Sequence, residues 1–504
     1  MSQNKPQARV VLPFVVTILV AVAAVLVIQA QENRRAPDTI EGTWTVESVE
    51  LSGQPVNGLQ GARLVLSPGG KKLLTLPDGT VEVGTYSIDA AKKPPQIDAT
   101  TEGKSGMQRG IFAIEGDKLE MCLGTQGPRP TDFVTKEGTD VLRIVFKRAA
   151  AEAPSAPSKT DLPPDRPSGT RSFRMGFTGF VYDTTPQAVA DSRKFVRENG
   201  DIIAHHIEGA PWAEAASGQP FPGALREAWE GKKATTPPNG KVYLAISPGR
   251  GELKIQEKAG PLPDELKGKT YDDPLVMKTY LAYCRRAIEF FRPDYLCIGI
   301  EVNEIHRDGG EQKWNAYAAL HRHVYGELKK EHEDLPIFAS FTLHSTFAHR
   351  GGMLETFKEL MPYNDLVAVS YYPFFVPEKV RLTALDWMTE QFDAFKKPYA
   401  VVETNDSAER LPLPQLKAVL EGTPEKQAAY YRKLLGLAQK RQFAFVISFI
   451  HRDYDALWEK IEDTSPELFK AWRDSGLVDE DGKPRPALQV WKDYFALPRA
   501  DQAR

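Results

Sequence analysis

The run DYLCIGIEVNEIH, residues 294–306, buries Leu296, Cys297, Ile298 and Ile300 and then ends in Glu301, Asn303, Glu304 and His306. A buried strand gains nothing from such groups, because a charge taken out of water must be paired or neutralised. Other apolar runs end in the same way. DIIAHHI (201–207) delivers His205 and His206, with Glu208 and Trp212 just beyond, and PIFASFTL (336–343) leads to His344. LVAVSYY (366–372) ends in Tyr371 and Tyr372, YAVVE (399–403) in Glu403 with Asn405 beyond, and FAFVISFI (443–450) leads to His451, Arg452 and Asp453. Glu304 and Glu403 are the sharpest candidates. Two carboxyl groups facing one another across a sugar suffice to cleave an acetal: one protonates the leaving oxygen, the other attacks the anomeric carbon. Glu304 would then need a raised pKa, which a neighbouring carboxylate helps to supply. Asn303 is placed to hold a sugar hydroxyl.

Positioning these groups requires a repeated scaffold. From residue 170 short apolar runs alternate with amphipathic stretches such as TPQAVADSRKFVREN, DPLVMKTYLAYCRRAIEFF and TPEKQAAYYRKLLGLAQK, the pattern of βα units around a parallel sheet. Strands are expected at 173–182, 201–207, 241–247, 295–301, 336–343, 366–372, 399–403 and 443–450. Eight strands over residues 170–498 predict an α/β fold of the (β/α)₈ TIM-barrel type, in which catalytic groups sit where strands end. A doubly wound open sheet is the alternative, but SPGRGE (247–252) lacks the lysine and spacing of a phosphate loop.

Residues 38–148 read differently. Short alternating runs separated by Gly, Asp and Pro turns predict an antiparallel β barrel or sandwich, with EGD (115–117) a tight hairpin turn. None of the nine histidines lies here, and the reading is a binding or spacer module. The Ala-, Pro- and Ser-rich stretch 149–169 cannot bury enough apolar surface to fold and predicts an extended linker. Residues 1–35 read as a signal peptide or signal anchor: Lys5 and Arg9 precede the uncharged run 10–28, of a length at the border between the two. The expectation is an exported chain, secreted or tethered to a membrane through 10–28. A net charge of −3 with both signs interspersed argues against a nucleic-acid partner. Three cysteines without a CxxC pair argue against a disulfide framework or zinc cage.

VNEI after the fourth strand, SYYPFF at the sixth and VVETN at the seventh resemble the retaining (β/α)₈ glycoside hydrolases with catalytic glutamates on strands four and seven. Within that clan the pattern is similar to the endo-β-1,4-galactanases of glycoside hydrolase family 53. The resemblance implies a carbohydrate substrate and no cofactor. It implies Asn303 as substrate-contacting amide, Glu304 as acid/base, Glu403 as nucleophile, and Tyr371 or Tyr372 as the phenol that positions it. The chain departs from the clan in carrying His205-His206 where an arginine is usual, and Phe449, His451 and Tyr454 where a tryptophan is usual. Trp212 or Trp458 is then the candidate sugar-stacking surface, with His206, His344 and His451 as further substrate contacts. The first unit, through IEGTWTVESVELSGQPV and GIFAIEGDKLEMCLG, resembles the lipocalin-like domains of exported bacterial proteins.

Two other readings compete. His205, His206, His344, His451 and Asp453 are the set from which a metal-dependent barrel hydrolase would have to be built, although adjacent histidines on a strand point to opposite faces and no metal is expected. A carbohydrate-binding barrel without turnover would keep the same pocket. His321 and His323, two apart on a helix, are expected on the surface, and Cys297 in the core.

Overall fold

The computed structural model describes residues 40–501 apart from short stretches at 57–58, 68–69, 77–80, 102–105, 125–127, 137, 149–165, 349 and 417. The predicted segment 10–28 and most of the predicted linker lie outside the described residues. Among the described residues no helix is long and apolar enough to cross a membrane. The chain divides into two compact units, with described residues 40–148 in one and 166–501 in the other.

In the first unit, Gly42–Leu51 pairs antiparallel with Arg63–Ser67, and each later strand pairs with the next through Lys71–Thr75, Val81–Asp89, Gln96–Ala99, Gln108–Glu115, Lys118–Gly124 and Val141–Arg148. The last strand returns to the first, Trp44 opposite Arg148 and Leu51 opposite Leu142. The result is an antiparallel barrel of eight strands with a two-residue edge segment, Gln54–Pro55. The predicted turn is present: Gly116, at φ 61°, and Asp117 join strands 108–115 and 118–124. Alternate residues fill the interior, among them Trp44, Val46, Ile97, Leu119, Met121 and Phe146. The buried Trp44 indole donates to the Ile40 carbonyl, so its one polar atom is paired.

The second unit is a parallel TIM-like sheet. Its strands are Arg174–Thr178, Ile202–Glu208, Lys241–Ser247, Tyr295–Cys297, a fifth strand in two pieces (Ile337–Phe338 and Phe341–Thr342), Val367–Tyr371, Tyr399–Thr404 and Phe445–Ser448. The first strand lies between the second and the eighth. One piece of the fifth strand pairs with the fourth and the other with the sixth, so the sheet comes round on itself. Observed strands fall within the predicted runs to within a residue or two, except that the fourth stops at Cys297 and the fifth is interrupted.

Period two decides which side chains line the barrel. Ile202, Ala204, Tyr243, Ala245, Cys297, Phe338, Ala368, Ala400, Val402, Phe445 and Ile447 form the inner cluster. Their neighbours in sequence, including Ile203, Leu244, Leu296, Val369, Val401 and Val446, pack outward against helices. The sequence sets where several of those helices begin. Thr185, Asp273 and Thr423 each precede a proline and accept a backbone N–H of the first turn, from Ala188, Leu275 and Lys426. Such caps are each worth about 1 kcal/mol, and proline at the first helical position loses no intrahelical bond. His321 does not lie on the surface as expected: it is buried, with Nε2 2.9 Å from the Tyr363 carbonyl. That carbonyl can only accept, so Nε2 carries the proton.

Candidate active site

Residues that continue the inward-facing series beyond the barrel interior reach its mouth. On the second strand the series Ile202, Ala204 ends in His206; on the sixth, Ala368 is followed by Ser370 and Tyr372; on the fourth, Cys297 is followed by Gly299 and Glu301. Glu403 breaks the parity. It is two residues from outward-facing Val401, so a regular strand would turn it toward the helices. A β-bulge intervenes: Val369 pairs with Val401 but Ser370 with Glu403, leaving Val402 as an extra residue on the seventh strand. The pairing with the eighth strand shifts at the same place. A bulge re-aims the side chains that follow it, and here it delivers the carboxylate to the mouth.

There Glu403 is held at both oxygens. The Tyr372 hydroxyl donates to Oε1, and His206 Nδ1 lies 3.1 Å from Oε2. Burial, with the charge of Glu403 next in weight, keeps the Tyr372 phenol well above its usual range, so it remains a donor. His206 and His205 face opposite ways, as adjacent strand residues must. His205 bonds to Thr236 Oγ1 at 3.0 Å and lies against Phe291 outside the barrel.

Glu301 occupies a left-handed backbone conformation, φ 52°, uncommon for a residue with a Cβ. Its N–H donates to Ser340 Oγ at 3.0 Å. Its carboxyl accepts from Ser370 Oγ at 2.6 Å and from Arg250 Nη2 at 3.1 Å. Burial pushes this carboxyl up to about 7, Arg250 opposes the shift, and the charge of Glu403 adds to it. The Arg250 loop is the SPGRGE segment, where Gly249 and Gly251 have φ of 123° and 79°, so the glycines form the turn that carries the guanidinium to the mouth.

Glu304 stands one helical turn further on, in Asn303–Glu331. It is 1% exposed, accepts from the Thr342 hydroxyl and pairs with Arg307. Arg307 also pairs with Asp308 at 2.7 Å. Asn303 does not face the mouth as predicted. Its amide donates to the Thr342 carbonyl and the Thr346 hydroxyl at 3.1 and 2.9 Å and accepts from the Thr342 N–H at 2.9 Å. That exchange fastens the start of this helix to the fifth strand.

Other expected contacts are redistributed. Tyr371 faces outward and donates to the Arg381 carbonyl at 2.5 Å, which leaves Tyr372 as the phenol at Glu403. Trp212 is buried, donates to the Lys254 carbonyl at 2.8 Å and packs near Tyr280; no face of it is open to a sugar. His451 lies against the Phe195 ring at 4.8 Å and near Tyr182, and Asp453 is bound by Arg485 at 2.7 Å. Of the histidines considered as metal ligands, His205 and His451 therefore lie away from His206. The groups of acidic residues close enough to hold a cation, among the described residues, contain no histidine. His344 does reach the mouth, its ring 5.3 Å from Phe375 and 6.2 Å from Tyr372. Burial, with Arg307 and Arg250 adding, pushes it down to about 3, so it is neutral at ordinary pH. Trp458 is buried in the cluster that also holds Trp472, and Trp472, 5.3 Å from Tyr372, is the tryptophan next to the site. Ser370, Arg250 and Trp472 were missed from sequence. Only Ser370 had a usable signal there, two residues before Tyr372 on a predicted strand.

No protein-family model and no curated protein sequence matches this chain. Solved structures with a similar chain path include an exo-β-1,4-mannosidase from Opitutaceae bacterium strain TAV5, at 12% identity and TM-score 0.45, covering 65% of this chain and 60% of that one. GH5_18 from Bifidobacterium longum matches at 14% identity and TM-score 0.46, over 65% of this chain and 81% of that one. The GH53 catalytic domain from Ignisphaera aggregans matches at 15% and 0.43, over 66% and 99%. This chain thus spans less than two thirds of the mannosidase, and family 53 is not singled out among these structures.

Proposed function

We propose that the second unit is a glycoside hydrolase that cleaves a β-linked saccharide by double displacement, with Glu403 as nucleophile and Glu301 as general acid/base. The observation that carries this reading is a pair of buried carboxyl groups at the barrel mouth, Glu403 held at both oxygens and Glu301 raised by burial. Glu403 accepts from Tyr372 and lies against His206, contacts that hold a carboxylate ready for attack. Glu301 is held up to about 7 by burial, with Glu403 adding, so it carries a proton near neutrality. A buried carboxyl whose pKa is raised toward neutrality suits the role of general acid. Glu301 protonates the glycosidic oxygen as Glu403 bonds to the anomeric carbon; its carboxylate then takes a proton from the water that releases the sugar and regenerates Glu403. Glu304, expected from sequence to be the proton donor, is already engaged by Thr342 and Arg307 and acts by anchoring Arg307 beside the mouth.

The test compares Glu301→Gln and Glu304→Gln on aryl β-glycosides of different leaving groups. Glu301→Gln should lose most activity on poor leaving groups, keep it on 2,4-dinitrophenyl glycosides, which need no proton, and yield glycosyl azide when azide is added. Its parent should lose activity as pH rises through about 7, where Glu301 deprotonates; the variant should lack that limb. If Glu304→Gln shows this pattern instead, Glu304 is the donor. A wild-type protein that binds saccharides without cleaving them would leave a binding barrel.

A further inference from the structure

Two guanidiniums are shared among three carboxyl groups just beyond the fourth strand. Arg250 Nη2 donates to Glu301 at 3.1 Å, and its Nη1 lies 3.8 Å from Asp308. Arg307 turns Nε and Nη2 to the same Asp308, at 2.9 and 2.7 Å, and pairs with Glu304 through Nη1. Asp308 is thus the carboxyl that both arginines have in common. It follows Glu304 by one helical turn, shortly before Gly310, at φ 72°, kinks the helix Asn303–Glu331. Like charges four residues apart on a helix repel, and here Arg307 lies between them. Asp308 is also the most open of the five, its side chain 24% exposed against 15% or less for the others, so a replacement there leaves no buried hole.

Resting on the glycoside hydrolase reading, we infer that Asp308 is a positioning residue: it divides Arg250 between two carboxyl groups, so that the guanidinium gives Glu301 one N–H rather than its full fork. Two parallel N–H groups of a guanidinium bind a carboxylate in the strongest arrangement such a pair has, and a proton donor held in that way would ionise. With Glu301 protonated, the two guanidiniums are matched by Glu304 and Asp308. Without Asp308 one positive charge is left over. Glu301, already bonded to Arg250, is then the carboxyl placed to take it. The other titratable groups that face Glu301 are Glu403, Glu304, Tyr372 and Tyr243, all of which an Asp308 variant retains.

The experiment uses the full chain and reads Glu301 in two ways. One is the alkaline limb of kcat/KM on an aryl β-glycoside, which reports the free enzyme's proton donor. The other is the infrared band of the protonated Glu301 carboxyl, identified by its loss in Glu301→Gln. Asp308→Asn, with Asp308→Ser as a second neutral replacement, should move the limb and the titration of the band down by about one pH unit or more. Asp308→Glu should hold both close to the wild-type position. In an Arg250→Gln background Asp308→Asn should move them far less, because the guanidinium through which Asp308 acts is gone. A rate that falls equally at every pH, with the band titrating as in the wild type, would overturn the proposal and leave Asp308 as a helix contact. Movement of the same size in both backgrounds would also overturn it, since Asp308 would then act on Glu301 directly. If the wild type cleaves no aryl β-glycoside, the hydrolase reading falls, and the band by itself decides whether Asp308 acts on Glu301 through Arg250.

Discussion

At the scale of single residues, the proposed chemistry depends on how two carboxyl groups are solvated by the protein. Glu403 relies on the Tyr372 hydroxyl and on His206. A hydrogen bond to a charged group is worth about 1.5–3 kcal/mol, so Tyr372→Phe should lower kcat/KM by roughly ten- to a hundredfold. Steady-state kinetics on an aryl glycoside would show it, and an unchanged rate would mean that the phenol only packs. Glu301 is four residues from inward-facing Cys297, whereas Glu304, the proton donor that the resemblance implies, belongs to the helix that follows.

At the scale of elements, the site is built from irregularities in otherwise regular strands. The bulge at Val402 turns Glu403 inward, Glu301 sits in a left-handed conformation between the fourth strand and the helix that follows, and the interrupted fifth strand places Ser340 and Thr342 against Glu301 and Glu304. Regular parts of the sheet show their constraints through glycine. A Cβ on Gly176 would sit 1.8 Å from the Ile202 carbonyl oxygen of the neighbouring strand, and backbone cannot step aside as a side chain can. Gly176→Ala should therefore exceed the usual overpacking cost, destabilising the second unit by about 3 kcal/mol or more. Urea unfolding of the full chain, followed by a signal from the second unit, would measure it; a loss near that of an exposed alanine would show that the strands can part.

At the scale of the molecule, burial of histidine makes stability depend on pH. His205, His344 and His451 are pushed down to about 3, and His321 to about 4, chiefly by burial. Below pH 6.5 the unfolded chain takes up protons that these folded sites refuse. Their contribution is whole above 6.5 and falls with pH, each by up to about 1.4 kcal/mol per pH unit. Glu301 and Asp453, each held up to about 7, act in the opposite sense, since a raised carboxyl stabilises the fold at low pH and loses that contribution as pH rises toward 7. His321→Gln keeps a donor for the Tyr363 carbonyl and removes one of the four titrating sites. The difference between its urea midpoints at pH 7 and pH 5 should be smaller than in the wild type; an equal difference would show that His321 takes up a proton in the folded state.

The amino-acid sequence by itself determined the two-unit organisation, the eight strand positions of the second unit, the capped helix starts at Thr185, Asp273 and Thr423, and the opposite facing of His205 and His206. These are local properties: periodicity, caps and turn residues act over a few neighbours. Only the tertiary structure decided that Glu403 turns inward, that Tyr372 and not Tyr371 meets it, that Asn303 and Trp212 bond the protein itself, and that the loops after the sixth, seventh and eighth strands share one hydrophobic cluster. Each of these depends on register or packing between segments distant in the chain, where an inserted residue or a partner from another strand outweighs any local preference.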